Sequence, residues 1–501
     1  MKPVLMRLTF LILVYLILAA CSSALNLGAQ PAQRSATAPI AAVQATSAGL
    51  PQPTQAPAPL PLQLDHHPLY WFAPLPPQPL GDYDGSDDFM ELFQPDADWA
   101  TASSYLQVFK FYGGWVAHES SATDRQQAVS EIRRRGLGLA VELGPLFPDE
   151  TCGQYIEGFA GEEALDTVIR IRDAGGELNF IALDEPYYWA HFYNGEQACQ
   201  WTAEKIAADV GRFVEQAREI FPDVLVGDIE PVTGPADAAA YQIWLETFRA
   251  VNGYDLAFLH LDMDWSNPSW PDESIEMEGY GRELGIPIGI IYIGNPQEES
   301  DAGWLAVAGE RVKRYELEVG GQPDHVIFQS WNDKPDHALP ESRPNTYTWF
   351  VKTYFEDKSS LGFTPEMLAD KLALNKSVRV SRFIPGNEGQ FAVDGDAGTV
   401  WNSGDDAPQW IEIDLGQPYR VGEIRLLVSQ YPEGHTGHRI LGKGPGTGDA
   451  FVELAVVAGF TRDGEWLTAE GLWVGIQFVR VETLSSPSWV SWREIEISPV
   501  D

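Results

Sequence analysis

From Leu69 to about Phe355, short runs of consecutive apolar residues alternate with stretches whose apolar positions recur every three or four residues. The first pattern predicts buried parallel strands and the second amphipathic helices. Strands are predicted at 70–73, 106–111, 139–142, 180–184, 224–228, 256–261, 288–292 and 325–329. Helices are predicted over Asp124–Arg135, Glu162–Ala174, Thr202–Phe221, Ala238–Val251 and Trp304–Val319, several closed by Gly136, Gly175-Gly176 or Gly320-Gly321. A first helix near Phe89–Phe93 has the least periodic support. Eight such units fit the ~250-residue span of an α/β, TIM-type (β/α)8 barrel. A doubly wound open sheet would share the alternation, but no glycine-rich phosphate loop follows the first strand.

Beyond Phe355 the pattern changes to alternating in–out strands separated by turn residues, at 410–415, 423–427, 451–456, 478–481 and 493–497. This predicts an all-β sandwich. Residues 22–67 are rich in Ala, Pro, Gln, Thr and Ser, and Pro51–Pro59 cannot form a packed core, so an extended tether is expected there. The chain therefore divides into a leader (1–21), a tether (22–67), a barrel (68–358), a linker (359–371) and a sandwich (372–501).

Charge narrows the partners. Among 501 residues, 72 Asp and Glu against 33 Lys and Arg give a net charge of −39. Nucleic acid and anionic lipid headgroups need a basic footprint and are excluded as partners. Aromatic residues make up 12% of the chain, with 17 Trp and 18 Tyr. Flat aromatic faces suit the apolar faces of sugars, although most are expected in cores.

The leader carries Lys2 and Arg7, then the apolar run Leu8–Leu18, too short to span a bilayer comfortably. It closes with Leu18-Ala19-Ala20-Cys21, which resembles the lipobox of bacterial lipoproteins. That resemblance implies lipidation of Cys21, cleavage before it and an extracytoplasmic, membrane-anchored chain displayed at the cell surface. Of the three cysteines, Cys152 and Cys199 remain. An oxidising exterior permits a disulfide between them; two buried thiols are the alternative. No zinc-binding spacing is present.

Chemistry in such barrels sits at the C-terminal ends of the strands. Those ends carry Glu142, Asp184-Glu185-Pro186, Asp228-Ile229-Glu230-Pro231 and Asp262-Met263-Asp264-Trp265, and strand eight runs out through Gln329 to Trp331-Asn332-Asp333. One such acid can simply cap the following helix; five strand ends at one mouth need another reason. Paired carboxylates cleave glycosidic bonds, one protonating the leaving oxygen while the other attacks the anomeric carbon or activates water. In this the barrel resembles glycoside hydrolases. The largest related group places an acid/base Glu after strand four and a nucleophilic Glu after strand seven. Glu185 matches the first, but strand seven ends Ile293-Gly294-Asn295. Other barrel hydrolases draw the second carboxylate from strand five or six, so the resemblance implies Glu230 as the catalytic partner of Glu185, followed by Asp262 or Asp264. Asp184, Glu142, Asp262, Asp264, Trp331 and Asn332 are expected to bind substrate, with Tyr187, Tyr188, Trp189 and Trp265 as further stacking faces. The missing strand-seven acid leaves open a barrel that only binds glycans, or an adhesion lipoprotein.

In the C-terminal part, 372–378, Val393-Asp394-Gly395-Asp396, Thr399-Val400-Trp401-Asn402-Ser403 and 409–416 resemble the discoidin, or coagulation factor 5/8 type C, family. The resemblance implies a jelly-roll sandwich, a carbohydrate partner, and a structural Ca²⁺ held by Asp394, Asp396, Thr399 and Glu494. Trp401 and Trp410 are core positions in that family, so sugar contacts are sought in loops, with His435, His438 and Arg439 as candidates.

Overall fold

The computed structural model describes residues 64, 67–78, 84–265, 267, 269–296, 298, 300–447 and 450–500. Cys21, the leader and nearly all of the tether lie outside them. Eight parallel strands close into a barrel in sequential order: β1 (Leu69–Ala73), β2 (Val108–Tyr112), β3 (Gly138–Leu143), β4 (Leu178–Asp184), β5 (Leu225–Val232), β6 (Leu259–Met263), β7 (Ile288–Tyr292) and β8 (His325–Gln329), with β8 paired back on β1. The open-sheet alternative is thereby removed.

Helices fill the outer ring: α1 (Ala100–Tyr105), α2 (Ala122–Arg134), α3 (Gly161–Asp173), α4 (Ala203–Ile220), α5 (Ala238–Asn252), α6 (Trp270–Leu284), α7 (Asp301–Val312) and α8 (Tyr347–Asp357). Their starts follow local chemistry. Ser121 and Asp124 form a reciprocal capping box on α2, and Thr202, Asp237 and Ser300 cap α4, α5 and α7. Phe89–Phe93 is a 3₁₀ turn rather than the first α-helix, which is α1. The predicted helix to Val319 ends as α-helix at Val312 and continues as a π turn over Lys313–Val319. Among the described residues no helix is long and apolar enough to cross a membrane.

Inside the barrel, Trp71, Phe180 and Phe258 pack at ring separations of 4.9–6.2 Å, with His260 and His325 hydrogen-bonded to each other at 2.9 Å beneath the mouth. Side chains alternate along each strand, so one parity faces this interior and the other the helices. The even-numbered residues Phe180 and Asp184 of β4, Phe258 just before β6 and Asp262 of β6 point inward.

The C-terminal region is an antiparallel jelly-roll sandwich that includes β9 (Ser377–Val380), β10 (Gln409–Val428), β11 (Trp466–Ser485) and β12 (Ser491–Pro499), the 20-residue β10 and β11 running side by side. Register shifts at Asp414–Glu423 bend the pair. The first half of β10 pairs with β9 and its second half with β12. Ile411, Ile413, Val421, Ile424 and Leu426 alternate into a core around Trp401 and Trp492. Trp410 is outside that core, under the Arg480 guanidinium at 4.5 Å.

Candidate active site at the barrel mouth

A cavity of about 490 Å³ opens at the C-terminal ends of the strands. Glu142, Asp184, Glu185, Asp262 and Trp331 line it, together with Tyr112, Ile229, Gln329 and Glu157. Glu185 follows β4 directly. Its backbone is left-handed, with φ +49, an uncommon state for a residue with a side chain. Its amide donates to Ile229 O at 3.1 Å, and its Oε2 accepts the Trp189 indole N–H at 2.7 Å. Burial, and then the Asp262, Asp184 and Glu157 charges, push the Glu185 carboxyl well above the ordinary range. Burial and the Glu142 charge raise Asp262 to about 7, against the pull of Lys110. Asp184 is raised well above its usual value, first by burial and then by Glu142. Below them Lys110, fully buried, pairs with Glu142 and donates to Gln329 Oε1 at 2.6 Å.

Several expected site residues lie elsewhere. Strand β5 runs on to Val232, and its interior parity is odd. A Cβ on Gly227 would strike the Phe258 ring inside the barrel, and Ile229 lines the cavity. Asp228 and Glu230 consequently face the helical layer. Asp228 accepts the Trp244 indole of α5 at 2.7 Å, and the fully buried Glu230 accepts the Tyr187 and Tyr188 amides at 2.7 and 3.0 Å. Glu230 closes off the start of the loop after β4 and does not reach the cavity. Asp264 is likewise off the cavity wall and accepts from Thr233 Oγ1 at 3.3 Å. Asn332 is buried as the acceptor of the Trp304 indole at 2.9 Å. Tyr187 is packed between His191 and Trp244, and Trp265 lies under Arg311, so neither offers a stacking face.

The sequence reading missed Glu157, which burial and the Glu142 charge push upward. It sits in the loop between β3 and α3, where no periodicity guides a reader; the neighbouring Cys152 is the only signal. Cys152 and Cys199 are joined by a disulfide, and Gly153 N donates to Gln197 O at 2.9 Å. The bond staples this loop to the one leaving Glu185. With the cysteines 47 positions apart, closure of that loop restricts the unfolded chain by about 4 kcal/mol.

In the sandwich, Thr399 Oγ1 lies within 2.9–3.0 Å of four oxygens: Phe391 O, Asp396 O and both carboxylate oxygens of Asp394. A hydroxyl has one proton to donate, so four acceptors around it form an oxygen cage suited to a hard cation. Glu494 adjoins it, accepting Gly395 N at 3.3 Å, and burial followed by the Asp394 charge raises its carboxyl. Asp396 contributes only its carbonyl. Its carboxylate turns to the barrel, accepting Asn295 Nδ2 at 2.8 Å and the Arg311 guanidinium at 3.3 Å. Arg311 in turn donates to Ile293 O and Gly294 O beyond β7.

At the loop end of the sandwich a second cavity, of about 620 Å³, is lined by Asn402, Asp463 and Arg493 and flanked by the exposed rings of Tyr431 and Trp489. His438 is not a surface residue; it is buried between Thr436 and Thr483. Arg439 is paired with Glu482 at 2.7 Å. His435 is exposed, but neither it nor Arg439 lines this cavity.

Residues 391–441 match the family model described as NedA-like, galactose-binding domain, of the F5/F8 type C group. Similar solved structures include chitosan-binding module 1 of a chitosanase/glucanase from Paenibacillus sp. IK-5, at 25% identity over 25% of this chain and 97% of that one, TM-score 0.23. A family 32 carbohydrate-binding module of C. perfringens NanJ, in complex with galactose, is 14% identical over 26% and 97%, TM-score 0.23. A Streptococcus pneumoniae fucose-binding module is 20% identical over 26% and 98%, TM-score 0.23. No curated protein matches the chain.

Proposed function

We propose that the protein is a surface-anchored glycoside hydrolase, with Glu185 as general acid, Asp262 as its ionised partner and the sandwich as an appended sugar-binding module. The observation that carries this is the placement of Glu185 and Asp262 on the wall of one cavity, with Ile229 of β5 between their strands. Burial, and then the neighbouring carboxylates, favour the protonated form of Glu185, ready to give its proton to the glycosidic oxygen as the C–O bond breaks. Asp262 then acts on the anomeric carbon, directly or by taking a proton from the attacking water, so that one water is added overall. Asp262 replaces Glu230 in this role because Glu230 is committed to backbone amides outside the cavity. Sugar capture by the sandwich raises the local substrate concentration for the barrel.

The test is a polysaccharide panel followed by reducing-end release. On a responsive substrate, kcat/KM rises with pH through about 7 as Asp262 loses its proton. It falls again at higher pH as Glu185, whose carboxyl burial and the neighbouring acids push well above the ordinary range, loses its own. A profile with its optimum near pH 5 would reject this pairing.

In the sandwich, Asp394, Thr399 and Glu494, with the carbonyls of Phe391 and Asp396, would hold Ca²⁺. The ion supplies loop stability there and takes no part in hydrolysis. Chelation is expected to lower the melting temperature of the full chain, and Asp394→Asn to abolish that difference. Tyr431, Trp489, Asn402 and Arg493 are the proposed sugar contacts, in place of His435, His438 and Arg439. The lipobox-like leader supports lipidation of Cys21; fatty-acid labelling that persists in Cys21→Ser would refute it.

A further inference from the structure

The walls of the barrel cavity are unbalanced in one respect. Asp184, Asp262 and Glu157 have no hydrogen-bond donor among the described residues, whereas several donors nearby are engaged within the protein and the Gln78 amide, which also lines the cavity, is neutral. Tyr112 gives its hydroxyl to Ser330 O at 2.5 Å, Lys110 is held by Glu142 and Gln329, and the Gln329 amide reaches back to Glu142. Among the described residues no Lys, Arg or His side chain lines the cavity. A ligand entering it meets unpaired acceptors and negative charge, and must bring both donors and a positive charge to match them.

Resting on the hydrolase reading above, we propose that the cleft takes a glycan whose reacting sugar carries a free, protonated amine. An ammonium offers three N–H donors in a compact cation, which a hydroxyl or an acetamide cannot. A uronic acid would set its carboxylate against Asp184, Asp262 and Glu157 with no cation to offset the repulsion. Because burial and the neighbouring charges, Glu142 first, push these carboxyls upward, a bound ammonium would favour their charged forms and drive protons out of the site.

The experiment offers the full chain a panel of linkages, each as free-amine, N-acetylated, neutral and uronate oligosaccharides. Turnover and calorimetric binding are measured in two buffers of different ionisation enthalpy. At least tenfold higher kcat/KM for the free-amine form is expected, with net proton release on binding and a ratio that falls toward one in Asp184→Asn. Equal or better turnover of the N-acetylated, neutral or uronate form overturns the charge preference and leaves the hydrolase reading intact. If no member is cleaved but free-amine binding is present and weakened by Asp184→Asn, the hydrolase reading falls and the preference stands. Free-amine binding that is absent, or that Asp184→Asn leaves unmoved, overturns the preference.

Discussion

Glu185→Gln is expected to lower kcat on a responsive glycan by about 10²–10⁴-fold, the usual contribution of a positioned general acid. Gln is isosteric and leaves the left-handed backbone and the Trp189 indole contact in place. The loss should therefore appear in turnover, with the circular dichroism spectrum and sugar capture by the sandwich unchanged. Glu230→Gln is the informative contrast. Its two carboxylate oxygens each receive a main-chain amide, and a Gln side chain would present an N–H₂ to one of them. A buried donor facing a donor costs about 1–3 kcal/mol, so this variant should melt earlier and keep turnover at temperatures where it is folded. Equal catalytic loss in both variants, at matched fold content, would return Glu230 to the reaction and remove Asp262 from it.

Arg311→Met is expected to destabilise the protein by roughly 3 kcal/mol, the cost of leaving one member of a buried ion pair unmatched. Arg311 is buried on α7 and supports four neighbours at once: the Ile293 and Gly294 carbonyls, the Trp265 ring at 4.5 Å and Asp396 of the sandwich. Methionine fills much of the volume but satisfies none of these carbonyls and leaves Asp396 with only Asn295 and its own loop. The measurement is the lowest-temperature unfolding transition of the full chain by calorimetry. Arg311→Lys, which restores charge without the planar fork, should recover part of the loss. An unchanged transition in Arg311→Met would mean that the pair carries no stability.

The strands were readable because an apolar run between turn signals suits a parallel sheet covered by helices. Seven of the eight predicted runs end within two residues of the strand found; β5 is the exception. There Asp228 and Glu230 beside Pro231 read as a polar exit, yet the strand passes through them to Val232. In a parallel strand covered on both sides, polarity carries no information about which parity faces inward. Only tertiary partners, the Trp244 indole and two amides, explain the acids there. Asp184 and Asp262 were legible because they lie at the ends of apolar runs whose even positions hold the rings of Phe180 and Phe258. Glu157 was not, since its place depends on a loop fixed by a disulfide rather than on any repeat. Helix α6 lacked a clean apolar stripe, with acids and three glycines near its C-terminal end. In the sandwich, spaced motifs located the oxygen cage, but not which atom of Asp396 takes part in it.

The bond between Cys152 and Cys199 also bears on where the protein can work. Where thiols are kept reduced it does not form. The loop bearing Glu157 then loses its covalent hold on the loop that leaves Glu185. The Gly153 N to Gln197 O hydrogen bond, at 2.9 Å, would still join the two loops after reduction, so the reduced protein would keep this side of the cleft by non-covalent contact alone.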